Sequence, residues 1–418
     1  MICFKRWSKW ILKQFINVMR LGYKHQKDHL IANRYWNNTI LPLLSNGSLQ
    51  HAVNGTYAYP NRIGLYPGMS CQFFCSFCGR NYNAKYKQQE IEQSFEVFKS
   101  IIDQDPKQGD HWQDRFRISG GLEPLTNSHI GKIISYGNAQ GFKMQMYTNG
   151  YALSEKFLEK QSGIFDLEMM RISLYGHDAE SYYKVTKNKK GYDIVLKNIK
   201  NFCKLVEHNK SKIKLGVNFI ILPGHADDLI DVFNMIQDIN ATCGYGISFI
   251  TLREDFSQSA NYISNDERQK LHKIFIEIEK QTDIHIDYGY ALHNVRHGIM
   301  SGPIAMATHE QMDRYGFPQI ATSVDSLGNF YVYHESNFLE RPGSARYIIG
   351  SVKNKSIEQI VRDHLNGEGI PAQPYDVGYL DAFDHTATLL LHEAKQYKQQ
   401  GLDWIKALEN KWKNTKLQ

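Results

Sequence analysis

The sequence predicts an α/β protein built on a parallel sheet, and two observations carry that expectation. Between residues 62 and 256, short apolar runs alternate six times with stretches of helical periodicity. The chain also has ordinary globular composition, with 418 residues, 42% hydrophobic, 31 Gly and 11 Pro. That length holds one large barrel with extensions or two to three smaller domains.

In chain order, residues 7–24 set Trp7, Trp10, Ile11, Phe15, Val18 and Leu21 near helical spacing with bases between them, which reads as an amphipathic helix. Residues 45–61 are rich in turn formers and read as a linker. Strands are expected at 62–66, 115–119, 143–148, 170–174, 214–222 and 247–252, and helices near 88–103, 128–140, 154–161, 191–209 and 226–239. A full eight-unit barrel is not visible. After residue 256 come a charged helix (264–281), a strand (284–288), a hairpin at 321–333 turning on Ser326, Leu327, Gly328 and Asn329, and helices at 356–365 and 386–413. The chain therefore reads as three parts: 1–60, 61–256 and 257–418.

Charge separates along the chain. Residues 1–30 carry seven bases and one acid, which accounts for the whole formal excess of +6; residues 31–418 carry 42 of each sign. A neutral body argues against a general nucleic-acid surface. The basic start suits either a membrane or partner contact or a packed helix with solvated lysines, and the second is the expectation. No run approaches the roughly 18 apolar residues of a membrane span. With no signal peptide and scattered remaining cysteines, the expected compartment is a reducing cytoplasm.

The strongest chemical signal is Cys71-Gln72-Phe73-Phe74-Cys75-Ser76-Phe77-Cys78. Three thiolates on one loop after a predicted strand can hold three irons of a cubane cluster and leave the fourth open. A structural zinc site would want a fourth ligand, and no second Cys-x-x-Cys or His pair lies nearby. Ser119-Gly120-Gly121-Leu122-Glu123-Pro124 follows the second strand, and Thr148-Asn149-Gly150, Ser173 with Tyr175, and Thr251-Leu252-Arg253-Glu254-Asp255 lie at the ends of strands three, four and six. Charged groups at strand ends on the active face of such a fold point to substrate.

The Cys-x₃-Cys-x₂-Cys motif with Phe77 before its last cysteine resembles the signature of the radical S-adenosylmethionine (SAM) superfamily. SGGLEP resembles that family's Gly-Gly-Glu-Pro element with one residue inserted, Leu122. The resemblance implies a partial (β/α)₆ barrel with a C-terminal α+β extension. It implies a [4Fe–4S] cluster on Cys71, Cys75 and Cys78, with SAM held near Phe77, Gly120, Gly121, Glu123, Thr148, Asn149 and Ser173. It leaves Tyr175, Arg253, Glu254 and Asp255 as catalytic residues, and Asp287 as a further substrate contact. The wording of 64–69, 119–127, 220–224, 253–255 and 286–292 is similar to radical SAM ammonia-lyases of deoxysugar biosynthesis. It implies hydrogen abstraction from a nucleotide-linked amino-deoxy sugar, loss of ammonia, a flavodoxin- or ferredoxin-type electron donor, and bases such as Arg80, Lys85 and Arg296 for the diphosphate. The C-terminal hairpin resembles the extension that holds auxiliary clusters in peptide-modifying relatives. No cysteine follows Cys243, so one cluster is expected. Oxidation of a sugar alcohol to a ketone and a non-catalytic iron–sulfur sensor are the competing readings.

Overall fold

A computed structural model describes residues 36–78, 86–254, 263–300, 306–337 and 343–414. The basic segment 1–30, Arg80, Lys85 and Asp255 lie outside the described residues. Two compact units are present: one is Ser48–Leu391, the other the described parts of Met1–Gly47 and His392–Gln418. The smaller unit contains α1 (Leu41–Ser45). In it the Trp412 indole and the Lys411 ammonium both hold the Glu393 carboxylate, at 2.9 and 2.6 Å.

The larger unit opens with α2 (Ser48–Asn54) and then β1 (Arg62–Tyr66). Six βα steps follow: α3 (Gln88–Asp103), β2 (Phe116–Ile118), α4 (Ile130–Ala139), β3 (Gln145–Thr148), α5 (Glu155–Lys160), β4 (Met169–Leu174), α6 (Ala179–Thr186), α7 (Gly191–His208), β5 (Lys214–Ile221), α8 (Asp228–Thr242), β6 (Phe249–Glu254), α9 (Asn265–Gln281) and β7 (His285–Tyr288). β1 to β7 pair in parallel in chain order. The six expected strands form within two or three residues of their expected bounds, and β7 extends the same sheet.

Three features were not legible, the first being α2, which lies in the 45–61 stretch read as a linker and forms because Leu49, Ala52 and Val53 are buried. Helix α6 is short and carries as many polar as apolar residues. It forms because Asp178 Oδ1 accepts from the Ser181 N–H at 2.7 Å, capping its start, and because Tyr182 and Val185 are buried. After α10 (Tyr290–Arg296), the hairpin of β8 (Ala321–Asp325) and β9 (Asn329–Tyr331) does not stand apart. β8 pairs in parallel with β1 along its whole length, from Arg62↔Ala321 to Tyr66↔Asp325, and β10 (Ile348–Ser351) completes a ten-stranded sheet beyond β9. All five β8 residues are buried, so the strand loses most by standing alone. Its turn is organised by Asp325, whose Oδ1 accepts from Leu327 N and Asn329 N at 2.9 Å each. α11 (Ile357–Asn366) and α12 (from Ala382) follow.

Register defines two faces. Ile172, Val217 and Ile250 are neighbours across β4, β5 and β6 and belong to the apolar core that the helices cover; Ile172 meets Val195 of α7 beside Gly150. The next residue on each strand turns to the opposite, inner face, so Ser173, Asn218, Thr251 and Asp287 form one polar row across four strands. The same alternation puts Arg62, Arg117, Arg171 and Arg253 on the inner face.

Candidate active site

The cysteine loop leaves β1 and is clamped from below by α6. Phe74 N–H donates to Thr186 O at 2.9 Å and Ser76 N–H to Val185 O at 3.1 Å, while Asn188 Nδ2 holds Gln72 O at 3.2 Å. Phe73 packs edge-on against Tyr151, Tyr175 and Tyr182 with centroids 5.6 to 6.1 Å apart, and Phe77 lies 5.7 Å from Tyr175. These rings back one side of the loop and bury Phe73 and Cys75.

Burial pushes the Cys71 thiol up to about 11, and the Glu123 and Cys78 charges push the same way; bonds from Phe73 N–H (3.5 Å) and Asn149 Nδ2 (3.7 Å) offset only part. Cys75 is raised further, by burial and then by the two neighbouring thiolates. Three soft sulfur donors crowded this way ionise together only against a strong local positive charge. The donor set and its surroundings therefore fit an iron–sulfur cluster held by Cys71, Cys75 and Cys78.

The turn after β2 packs back-to-back against this loop. A Cβ on Gly68 would lie 2.4 Å from the Leu122 carbonyl, and one on Gly120 (φ +60°) would lie 2.2 Å from the Tyr66 ring, so neither position admits a side chain. Glu123 is only 4% exposed. Its carboxylate accepts from Thr148 Oγ1 at 2.5 Å, Asn149 N–H at 2.7 Å and Leu125 N–H at 3.1 Å. Burial raises its pKa and these three bonds lower it, the net shift being upward. Glu123 thus ties the β2 turn to the end of β3 and aims the Asn149 amide at Cys71 and Gln72.

Phe77, Gly120, Gly121, Glu123, Asn149 and Tyr175 are gathered around the cysteine loop. Thr148 lies behind Glu123, and Ser173 and Arg253 face inward along β4 and β6. Glu254 is not with them. It has the parity of Leu252, on the helix-covered face, where its carboxylate pairs with Arg268 of α9 at 2.9 Å, both side chains almost wholly buried. Asp255 lies outside the described residues.

The inner face also holds residues that strand-end reasoning missed. Asn218 Oδ1, Thr251 Oγ1, Arg117 Nε and Arg171 Nε are buried without hydrogen-bond partners among the described residues. His334, after β9, bonds Asp384 twice, from its backbone N–H at 3.1 Å and through Nδ1 at 2.9 Å; Asp381 accepts from Asp384 N–H at 2.7 Å. Burial lowers the His334 pKa, and the Asp384 charge and hydrogen bond overcome it, for a net rise. The visible signal was the acidic pair Asp381 and Asp384 at the start of a helix.

A cluster loop at the carboxyl end of β1, a glycine turn after β2 and a parallel sheet open on its inner face define a class. Residues 65–236 match the Radical SAM superfamily model, and the chain belongs to that superfamily. It is 35% identical over 374 residues, covering 87% of this chain and 76% of its relative, to the dTDP-4-amino-4,6-dideoxy-D-glucose ammonia-lyase of Streptomyces venezuelae. Streptococcus suis SuiB bound to S-adenosylmethionine is similar with a TM-score of 0.45 and 16% identity over 65% of this chain; the chain spans 58% of SuiB's length. Native anSMEcpe with bound AdoMet and Cp18Cys peptide has a TM-score of 0.47 and 11% identity, covering 84% of this chain and 99% of that one. The chain is an enzyme whose cofactors are a [4Fe–4S] cluster and SAM. No helix among the described residues is long and apolar enough to cross a membrane.

Proposed function

We propose that the chain is a radical SAM ammonia-lyase of deoxysugar biosynthesis acting on a nucleotide-linked amino-deoxy sugar. The identity to the Streptomyces enzyme carries this reading, because it runs over 87% of the chain and so well beyond the stretch matched by the family model. When bound, the reduced cluster and SAM supply a 5′-deoxyadenosyl radical that takes a hydrogen atom from the sugar. A one-electron donor of the flavodoxin or ferredoxin type serves the reduction.

The chain's own part is to position and to exclude water. Cys71, Cys75 and Cys78 hold the cluster; Gly120, Gly121, Asn149 and Ser173 offer polar groups to SAM; Glu123 and Thr148 act by fixing Asn149. Tyr175, with Phe73 and Phe77, closes the loop side of the chamber. Asn218 and Thr251, with unpaired buried oxygens, and Arg253 face the sugar. Glu254 acts through Arg268 by holding α9 to β6 and is a positioning residue. Incubating reduced protein with SAM and a panel of nucleotide sugars tests this. Deoxyadenosine with ammonia supports elimination, and deoxyadenosine with a ketone and no ammonia replaces it with alcohol oxidation.

A further inference from the structure

The inner face concentrates positive charge that the fold compensates only in part, the buried Asp381 carboxylate answering His334 first and then Arg253 and Arg62. Arg62 on β1, Arg117 on β2 and Arg171 on β4 point to it. None of their guanidinium groups forms an ion pair or hydrogen bond with a described residue; Arg62 only stacks on Phe383 (4.3 Å) and Arg171 on Tyr147 and Phe249 (5.1 Å each). Among the described residues the two fully buried arginines are both paired, Arg115 with Asp105 and Arg268 with Glu254. The Nε atoms of Arg117 and Arg171 are sealed from water and bond to none of the described residues. A half-buried guanidinium without a bonded partner is costly, and several together repel one another.

Arg117 records that repulsion. The Arg62 charge, then burial, then Arg171 pull its pKa well below that of an ordinary arginine, and Tyr147 and Asp114 counter only in part. On β4 the side chain two residues beyond Arg171 on the same face is Ser173, and the next is Tyr175 against the cysteine loop. Two residues of strand span about 6.6 Å, so Arg171 lies about 13 Å of strand below the aromatic wall of the cluster site. The unpaired Asn218 and Thr251 oxygens belong to the same inner face.

We propose that Arg62, Arg117 and Arg171 form the diphosphate-binding site of the nucleotide sugar, inside the sheet's inner face. This rests on the nucleotide-sugar reading above and assigns the anchor to strand residues, where the sequence pointed to Arg80, Lys85 and Arg296. Planar guanidinium forks match phosphate oxygens in pairs, and the two negative charges of a diphosphate offset the repulsion among the three arginines.

The test measures binding of thymidine diphosphate, inorganic pyrophosphate and thymidine to the reconstituted full chain by calorimetry, beside Arg117→Gln, Arg171→Gln and Arg117→Lys. Thymidine diphosphate should bind, pyrophosphate more weakly, and each glutamine variant should bind the diphosphate about tenfold to a hundredfold less tightly. Arg117→Lys should recover part of the loss. Both glutamine variants should unfold, without ligand, at the wild-type temperature or above it, because a repelling charge has gone. Unchanged diphosphate affinity in both folded glutamine variants, or no diphosphate binding by the wild type, overturns the proposal. Ammonia release from the nucleotide sugar by the wild type is measured in parallel. If it persists in either of those cases, only the anchor is wrong; if it too is absent, the reading beneath falls as well.

Discussion

The Asn149 backbone N–H donates to Glu123 Oε2 over 2.7 Å and fastens the turn after β2 to the end of β3. Through this one carboxylate the glycine turn, the Thr148 hydroxyl and the amide beside Cys71 share a fixed geometry. Glu123→Gln turns one acceptor atom into a donor and must break at least one of three bonds. The expected cost is about 1–3 kcal/mol of stability, read by urea unfolding, with weaker SAM binding. Unaltered stability and SAM affinity would show the brace to be dispensable.

Gly120 is held at φ +60° with the Tyr66 ring where a side chain would begin. Gly120→Ala adds about 1–2 kcal/mol of backbone strain and displaces that ring from the glycine turn. Iron content after anaerobic reconstitution should drop below the wild-type value. Full iron loading with normal SAM affinity would contradict the packing described.

Glu254 and Arg253 are chain neighbours on opposite faces of β6. Glu254→Gln removes one partner of a buried ion pair and should destabilise by up to about 3–5 kcal/mol. At a temperature where the variant is folded, kcat should stay near wild type, whereas Arg253→Gln should lower activity with little change in stability. A Glu254→Gln variant that is stable but inactive would place its carboxylate on the substrate.

The His334–Asp384 pair gives stability a pH signature. The net folded-state pKa of His334 is raised, against burial, by Asp384 and then Asp381, with Arg62 opposing. Its contribution is therefore full below the unfolded value of about 6.5 and is lost as pH rises through the higher folded value. The stability difference between wild type and His334→Gln should shrink across that window. A difference that grows with pH would reverse the assigned sign.

Local pattern made much of this legible. α3 runs over Gln88–Asp103 as its periodicity predicts, with Glu90 bonding back to the Lys87 N–H, and the 62–66 strand is apolar on one parity. The pairing of β8 with β1 joins residues some 260 apart, and no local period encodes that. The arginine site was hidden for another reason. Arg117 and Arg171 sit inside short strands, away from the strand ends where a parallel sheet presents its active face. Their alternation with Ile118 and Ile172 already marked two faces, and the same parity, with Leu252 apolar, would have sent Glu254 to the helices.

The central claim is hydrogen abstraction coupled to loss of ammonia, and isotope transfer tests it most directly. Reduced wild-type protein is given SAM and a nucleotide-linked 4-amino-4,6-dideoxy sugar carrying deuterium at C3, and deoxyadenosine and ammonia are quantified together. Deuterium is expected in the deoxyadenosine, with ammonia in matching amount, and both should be absent from Cys75→Ala. Deoxyadenosine free of deuterium, or deuterated deoxyadenosine without ammonia, would contradict it.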